Sequence, residues 1–222
     1  LNPAESIASR CRRVFDRIEA AARRSGRRPE SIRLLAVTKT VPPERIREAI
    51  DSGIRDIGES RLQEALSKRD DLRDLPIAWH FIGRIQGNKA KRIAESFDWA
   101  HSVDRADIAE KLNAAATRRI PVLIEVNVAG ETAKGGVAPE GIAALAESIR
   151  GCARLDLRGL MTVPPQSATP DAARPFFRRL RDLAKQHELA ELSMGMSHDF
   201  EIAIEEGATI VRVGTALFGE RG

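Results

Sequence analysis

Lys39 closes a run of mostly apolar residues, Leu34-Leu35-Ala36-Val37-Thr38, and Pro42-Pro43 follow almost at once. That pattern predicts a buried strand carrying a primary amine to its C-terminal end. An ammonium held there is costly unless it is paired, deprotonated or covalently used, and lysines that attack carbonyls are made nucleophilic in this way. The competing reading is a strand-end lysine whose stem lies on apolar surface and whose charge stays in water. Two later segments bear on the choice. In Ser193-Met194-Gly195-Met196-Ser197 the glycine permits a tight turn, and Ser197 is expected at a helix N-cap. Amide hydrogens exposed there, with the hydroxyl, can hold a phosphate. Arg212-Val213-Gly214-Thr215 again sets a glycine beside a hydroxyl.

The elements that must bring these residues together alternate from end to end. Helical spacing predicts helices over residues 4–25, 43–52, 61–72, from 88, 104–118 with Asp104 as its cap, 139–150, 171–187 and 197–206. Strands are expected over residues 32–38, 56–59, 79–83, 99–103, 121–128, 157–161, 191–194 and 209–213. Several lack period-two alternation, which fits burial on both faces of a parallel sheet. Eight such units without a compositional break predict an α/β fold, a TIM-like (β/α)8 barrel in one domain over residues 1–222. The chain stops shortly after strand eight, which leaves the eighth helical place to an extra N-terminal helix within residues 1–25. A doubly wound open sheet is the alternative.

In such a barrel the site forms where strands end, and the loops after strands seven and eight are the usual phosphate site. A buried lysine on strand one, with those two glycine turns, describes a phosphate-bearing aldehyde cofactor. Arg212 is then expected across the barrel mouth from Lys39. An arginine on the pyridine nitrogen is one of two usual partners in pyridoxal phosphate sites. Being permanently charged, it would disfavour protonation of that nitrogen and weaken the ring as an electron sink. The competing partner for Arg212 is a nearby acid such as Glu201 or Glu205. Glu59 is read as orienting a loop. His80 and His101 lack metal-ligand spacing, so hydrogen-bonding or core roles are expected, and no metal site.

Bulk properties narrow the function classes. The chain has 222 residues, a net charge of +4, 31% charged residues and no tyrosine. Its arginines alternate with acids, as in Arg178-Arg179-Leu180-Arg181-Asp182, so a nucleic-acid arm is not expected. Cys11 and Cys152 stand far apart and are read as buried free thiols. No run is long enough to cross a bilayer and no signal peptide is visible, so a cytoplasmic protein without membrane contact is expected. Leu1 in place of methionine is read as a trimmed start.

Taken in order, these residues resemble the YggS/PROSC family of pyridoxal phosphate homeostasis proteins over nearly the whole chain. The landmarks are Leu34 to Lys39, Gly58-Glu59 with Gln63-Glu64, and Trp79-His80-Phe81-Ile82-Gly83 with Gln86 and Asn88-Lys89. They continue through His101-Ser102-Val103-Asp104, Gly159-Leu160-Met161, Ser193 to Ser197 with Asp199, and Arg212 to Thr215. The resemblance implies a barrel like the cofactor domain of alanine racemase, with Lys39 as the Schiff-base lysine. It also implies phosphate contacts from Ser197, Gly214 and Thr215, and a ring-nitrogen contact from Arg212. Ser60 departs from the asparagine usual after Gly-Glu in the family, so a cofactor contact from that position is in doubt.

A pyridoxal phosphate carrier of this kind would be a monomer or weak dimer serving apo-enzymes. The rival is a fold-type III amino-acid racemase, which needs an acid/base on each face of the cofactor. In alanine racemases, as that family is known, the group opposite the lysine is a tyrosine from a separate β-domain. A chain without tyrosine that ends at its barrel favours the carrier. A third class is a binder of phosphate metabolites without a covalent link.

Overall fold

The structure is a computed structural model that describes residues 5–131, 134–165 and 169–220. Ser6 accepts the Ser9 amide hydrogen at 3.2 Å and starts α1 (Ile7–Arg24). Ile7, Cys11, Val14, Ile18 and Ala21 recur at helical spacing, and this stripe is the buried one. The predicted start at Ala4 lies outside the described residues.

Eight parallel strands follow: β1 (Arg33–Val37), β2 (Asp56–Glu59), β3 (Ala78–Phe81), β4 (Trp99–Val103), β5 (Ile120–Glu125), β6 (Leu155–Met161), β7 (Glu191–Met196) and β8 (Ile210–Val213). Each pairs with the next, and β8 pairs with β1, Leu35 opposite Arg212, so the barrel is closed. Closure excludes the doubly wound alternative. Between the strands run α2 (Pro43–Asp51), α3 (Leu62–Asp71), α4 (Ala90–Ser96), α5 (Ala106–Ala115), α6 (Ile142–Arg150), α7 (Arg174–Gln186) and α8 (Phe200–Glu205). A one-turn α9 (Thr215–Phe218) follows β8, and α1 packs against α2, α8 and α9 to fill the remaining helical place.

Apolar burial divides into two bodies. The larger lies between strands and helices, and includes Ile46, Ile57, Ile108, Phe177 and Phe200. The smaller, Leu35, Leu123, Met161 and Ile210 with Ile82 and Trp99 against it, fills the lumen. Such layers make the barrel a packed support that leaves chemistry to the strand ends.

Several expected boundaries move. Strand five ends at Glu125, because the chain turns there: Val126 bridges Val137, whose amide donates to the Glu125 carbonyl at 2.8 Å. Asp104 does not cap α5, which begins after Arg105 without a side-chain cap; Asp104 pairs with the Arg105 guanidinium at 2.8 Å. β7 runs two residues further than expected and α8 begins only at Phe200, so Ser197 is not its N-cap; that place is taken by Asp199.

Candidate functional site

Lys39 lies half-buried two residues beyond β1, and its backbone is held on both sides. On one side the Thr38 hydroxyl donates to Glu59 Oε1 at 2.7 Å, and Lys68 Nζ donates to the Thr38 carbonyl at 2.7 Å. On the other, the Thr40 amide donates to Glu64. Lys68 Nζ ties the carboxylates together, at 2.8 Å from Glu59 and 2.6 Å from Glu64. This clamp holds Thr40 at φ 65°, a left-handed conformation that a β-branched residue rarely adopts. Burial pushes the Glu59 carboxyl up against the pull of Lys68 and Thr38, and its Oε2 is buried with no hydrogen-bond partner among the described residues. Glu59 therefore orients the lysine loop. Lys68 was not legible as part of the site, although its spacing from Glu64, four residues along one helix, was a usable signal.

The β8 turn meets Lys39 directly. A small cleft of about 160 Å³ is lined by Lys39, Thr40, Arg45, Gly214 and Thr215 among others. Ser197 reaches the same turn from β7: its Oγ accepts the amide hydrogens of Gly214 at 3.1 Å and Ala216 at 3.3 Å. The hydroxyl expected to cap a helix instead marks a point where two amide hydrogens converge on one oxygen. Gly195 makes this approach possible. Its φ is +88°, and a Cβ there would lie 2.5 Å from Ala203 Cβ and 2.9 Å from Phe200 Cα. Gly195→Ala is expected to lose roughly 3 kcal/mol by left-handed strain plus overpacking. Urea denaturation checks this, and a variant as stable as the parent would show that the turn tolerates a side chain.

Arg212 sits at 4% exposure on β8. It does not lie across the mouth from Lys39: barrel closure sets the last strand beside the first, with Arg212 in register with Leu35. Neither Glu201 nor Glu205 is its partner, since they pair with Arg17 and with Arg24 and Arg174. Its Nη1 donates to the Ser193 carbonyl at 2.7 Å and hydroxyl at 2.8 Å, and Nη2 donates to the Thr162 carbonyl at 2.8 Å. Burial pulls its pKa down to about 10, with Glu125 and Asp199 opposing, so it stays a cation at neutral pH. Ser193 and Thr162 were missed as its partners because they come from other strands.

His80 and His101 are fully buried and hydrogen-bonded to each other at 3.0 Å. No cluster of three metal-ligating side chains occurs among the described residues. Cys11 and Cys152 are buried free thiols, and burial raises the Cys11 pKa to about 11, against the pull of Ser52. No described helix is long and apolar enough to cross a membrane.

The fold and this mouth define a class, the barrels of the alanine racemase N-terminal domain, whose family model matches residues 13–222. The chain is 50% identical over 221 residues to the pyridoxal phosphate homeostasis protein of Pseudomonas aeruginosa, covering 97% of this chain and 96% of that protein. It is 48% identical over 225 residues to the protein of the same name from Aquifex aeolicus, covering 97% and 99%. The structure of PipY from Synechococcus elongatus, with pyridoxal phosphate bound to that protein, matches with a TM-score of 0.81 at 37% identity, over 93% of this chain and all of that one. The chain belongs to the pyridoxal phosphate homeostasis protein family.

Proposed function

We propose that this protein binds pyridoxal phosphate reversibly in the cytoplasm and buffers or delivers it to apo-enzymes, without catalysing a reaction of its own. Lys39 takes the aldehyde, Ser197, Gly214 and Thr215 hold the phosphate, and Arg212 faces the ring nitrogen. When bound, the cofactor supplies an aldehyde that condenses reversibly with a primary amine. The residues present fit it. The Gly214 and Ala216 amide hydrogens converge on the Ser197 hydroxyl, a place that a phosphate oxygen would take by displacing it, and Gly214 and Thr215 line one cleft with Lys39.

That shared cleft is the observation that carries the reading. The clamp of Glu59, Lys68 and Glu64 orients the loop bearing the amine. Arg212 remains charged and would donate a hydrogen bond without giving up a proton, which would keep the ring a weak electron sink. The names of the relatives support the same role.

Purified protein mixed with pyridoxal phosphate is expected to show a visible band, one trapped cofactor per chain after borohydride, and reactivation of an apo-enzyme by the loaded form. Racemase assays are expected to show no turnover. Turnover at ordinary enzymatic rates would replace the carrier with a fold-type III racemase. Tight binding without trapping would leave a phosphate-metabolite binder.

A further inference from the structure

Four hydrogen bonds join five side chains in a line through the barrel. Asp56 Oδ1 lies 2.9 Å from His80 Nε2, and His80 Nδ1 lies 3.0 Å from His101 Nε2. His101 Nδ1 lies 3.0 Å from Ser193 Oγ, which in turn lies 2.8 Å from Arg212 Nη1. The line starts on β2, passes through β3 and β4, and crosses the lumen to β7 and β8. His80, His101 and Ser193 are each 0% exposed.

The two ends set the direction of every bond. Arg212 can only donate, so Ser193 Oγ accepts from it, and the hydroxyl hydrogen finds its acceptor in the line when it turns to His101 Nδ1. A neutral His101 then carries its proton on Nε2 and donates to His80 Nδ1. His80 likewise carries its proton on Nε2 and donates to the Asp56 carboxylate. Working back from Asp56 gives the same assignment. A cationic His80 would reverse the bond to His101, and Ser193 Oγ would then receive hydrogens from both neighbours, leaving its own without an acceptor in the line. Burial opposes that state. It lowers the His80 pKa, with Asp56 and Asp98 pulling up and Arg33 down, and holds His101 well below its usual value with help from His80, Arg212 and Arg33.

We propose that Ser193, His101, His80 and Asp56 are positioning residues for Arg212: a one-way hydrogen-bond line, running from a cation to a carboxylate, that fixes the guanidinium beneath the ring-nitrogen end of the cofactor site. The proposal rests on the reading of Arg212 as the ring-nitrogen contact. Aligned bonds polarise one another, so the line acts as a unit. Without it, Arg212 would keep its two carbonyl partners but lose the hydroxyl that fixes Nη1.

Nitrogen-15 NMR of the cofactor-free protein between about pH 6 and pH 8 reads the line directly. Two imidazoles, those of His80 and His101, are expected as neutral Nε2–H tautomers that do not titrate. An Nδ1–H tautomer or a cation at either buried ring would overturn the line. Ser193→Ala is expected to shift the His101 Nδ1 signal and to release bound pyridoxal phosphate about tenfold faster, with trapping on Lys39 still stoichiometric. Unchanged release from a folded Ser193→Ala protein would overturn the positioning role.

Should that variant fail to fold, Asp56→Asn and Asp56→Leu ask the question from the other end. Asparagine keeps an accepting oxygen and is expected to keep both tautomers and parental release, whereas leucine loses both. Equal behaviour of the two would also overturn the role. Failure of the parent protein to trap pyridoxal phosphate would strike the binding reading alone, because the tautomers are measured without cofactor and decide the line by themselves.

Discussion

Lys39→Ala protein, mixed with pyridoxal phosphate, is expected to give no visible band and no borohydride-trapped adduct. Among the described residues, the change removes the only amine that lines the small cleft with the Gly214-Thr215 turn. The fold should survive it. The bonds that shape the lysine loop run through Thr38, the Thr40 amide, Glu59, Glu64 and Lys68, so stability should change by about 1 kcal/mol or less. The proposed phosphate contacts of Ser197, Gly214 and Thr215 are untouched by the change, so weak, non-covalent binding should persist, with affinity lowered by about a hundredfold, equivalent to two decades on the binding scale. Absorbance titration with borohydride trapping measures both effects. A full band in a folded variant would remove Lys39 from the anchoring role.

The second large effect lies beneath that lysine. Lys68→Met is expected to cost about 3 kcal/mol, because it leaves the Glu59 carboxylate buried without its cation. Glu59 is 0% exposed and Lys68 is buried beside it, so solvent screens the pair little. The pH dependence has a definite sign. Burial already raises the folded-state pKa of Glu59 above its ordinary value, with Lys68 and Thr38 opposing. A carboxyl raised in this way contributes stability that is complete below the unfolded pKa and is lost as pH rises through the folded one. Removing Lys68 raises the folded pKa further and widens that window upward. The deficit of Lys68→Met should therefore be small in acid, where Glu59 is protonated in both states, and should grow towards neutral pH. Urea denaturation across that range is the measurement. A deficit independent of pH would mean that Glu59 does not carry the buried charge. Adding Glu59→Gln to Lys68→Met should restore most of the lost stability, because the unpaired charge is gone.

Much of the barrel was legible in the chain because its local signals agree. The apolar stripe of α1, the continuous runs of β1 and β5, and Pro43 at the start of α2 each match the element they form. Misplaced boundaries share a cause. Asp104 and Ser197 are good capping residues by type, but each found a different partner nearby: the Arg105 guanidinium for one, the Gly214 and Ala216 amides for the other. Capping preference is worth about 1 kcal/mol, small enough for such a contact to override. The Lys39 loop shows the same limit. Its apolar approach was plain, whereas the clamp that sets Thr40 in a left-handed conformation needs Glu59 and Lys68 from two other elements.

By itself, the sequence determined an alternation of eight strands and their helices, and which strand ends carry an amine, two hydroxyl-bearing glycine turns and an arginine. Those properties follow from residue type and short-range periodicity, which act within one element. Tertiary structure decided what those groups touch. Closure of β8 onto β1 set Arg212 beside the lysine strand and brought Gly214 and Thr215 to the Lys39 cleft, while the pairing of β8 with β7 led Arg212 to Ser193 and, beyond it, to Thr162 after β6. It also aligned Asp56, His80, His101 and Ser193 into one hydrogen-bonded line. The reason is geometric: parallel strands meet only through long crossovers, so register between them depends on the packing of the whole barrel and leaves no mark in any single segment.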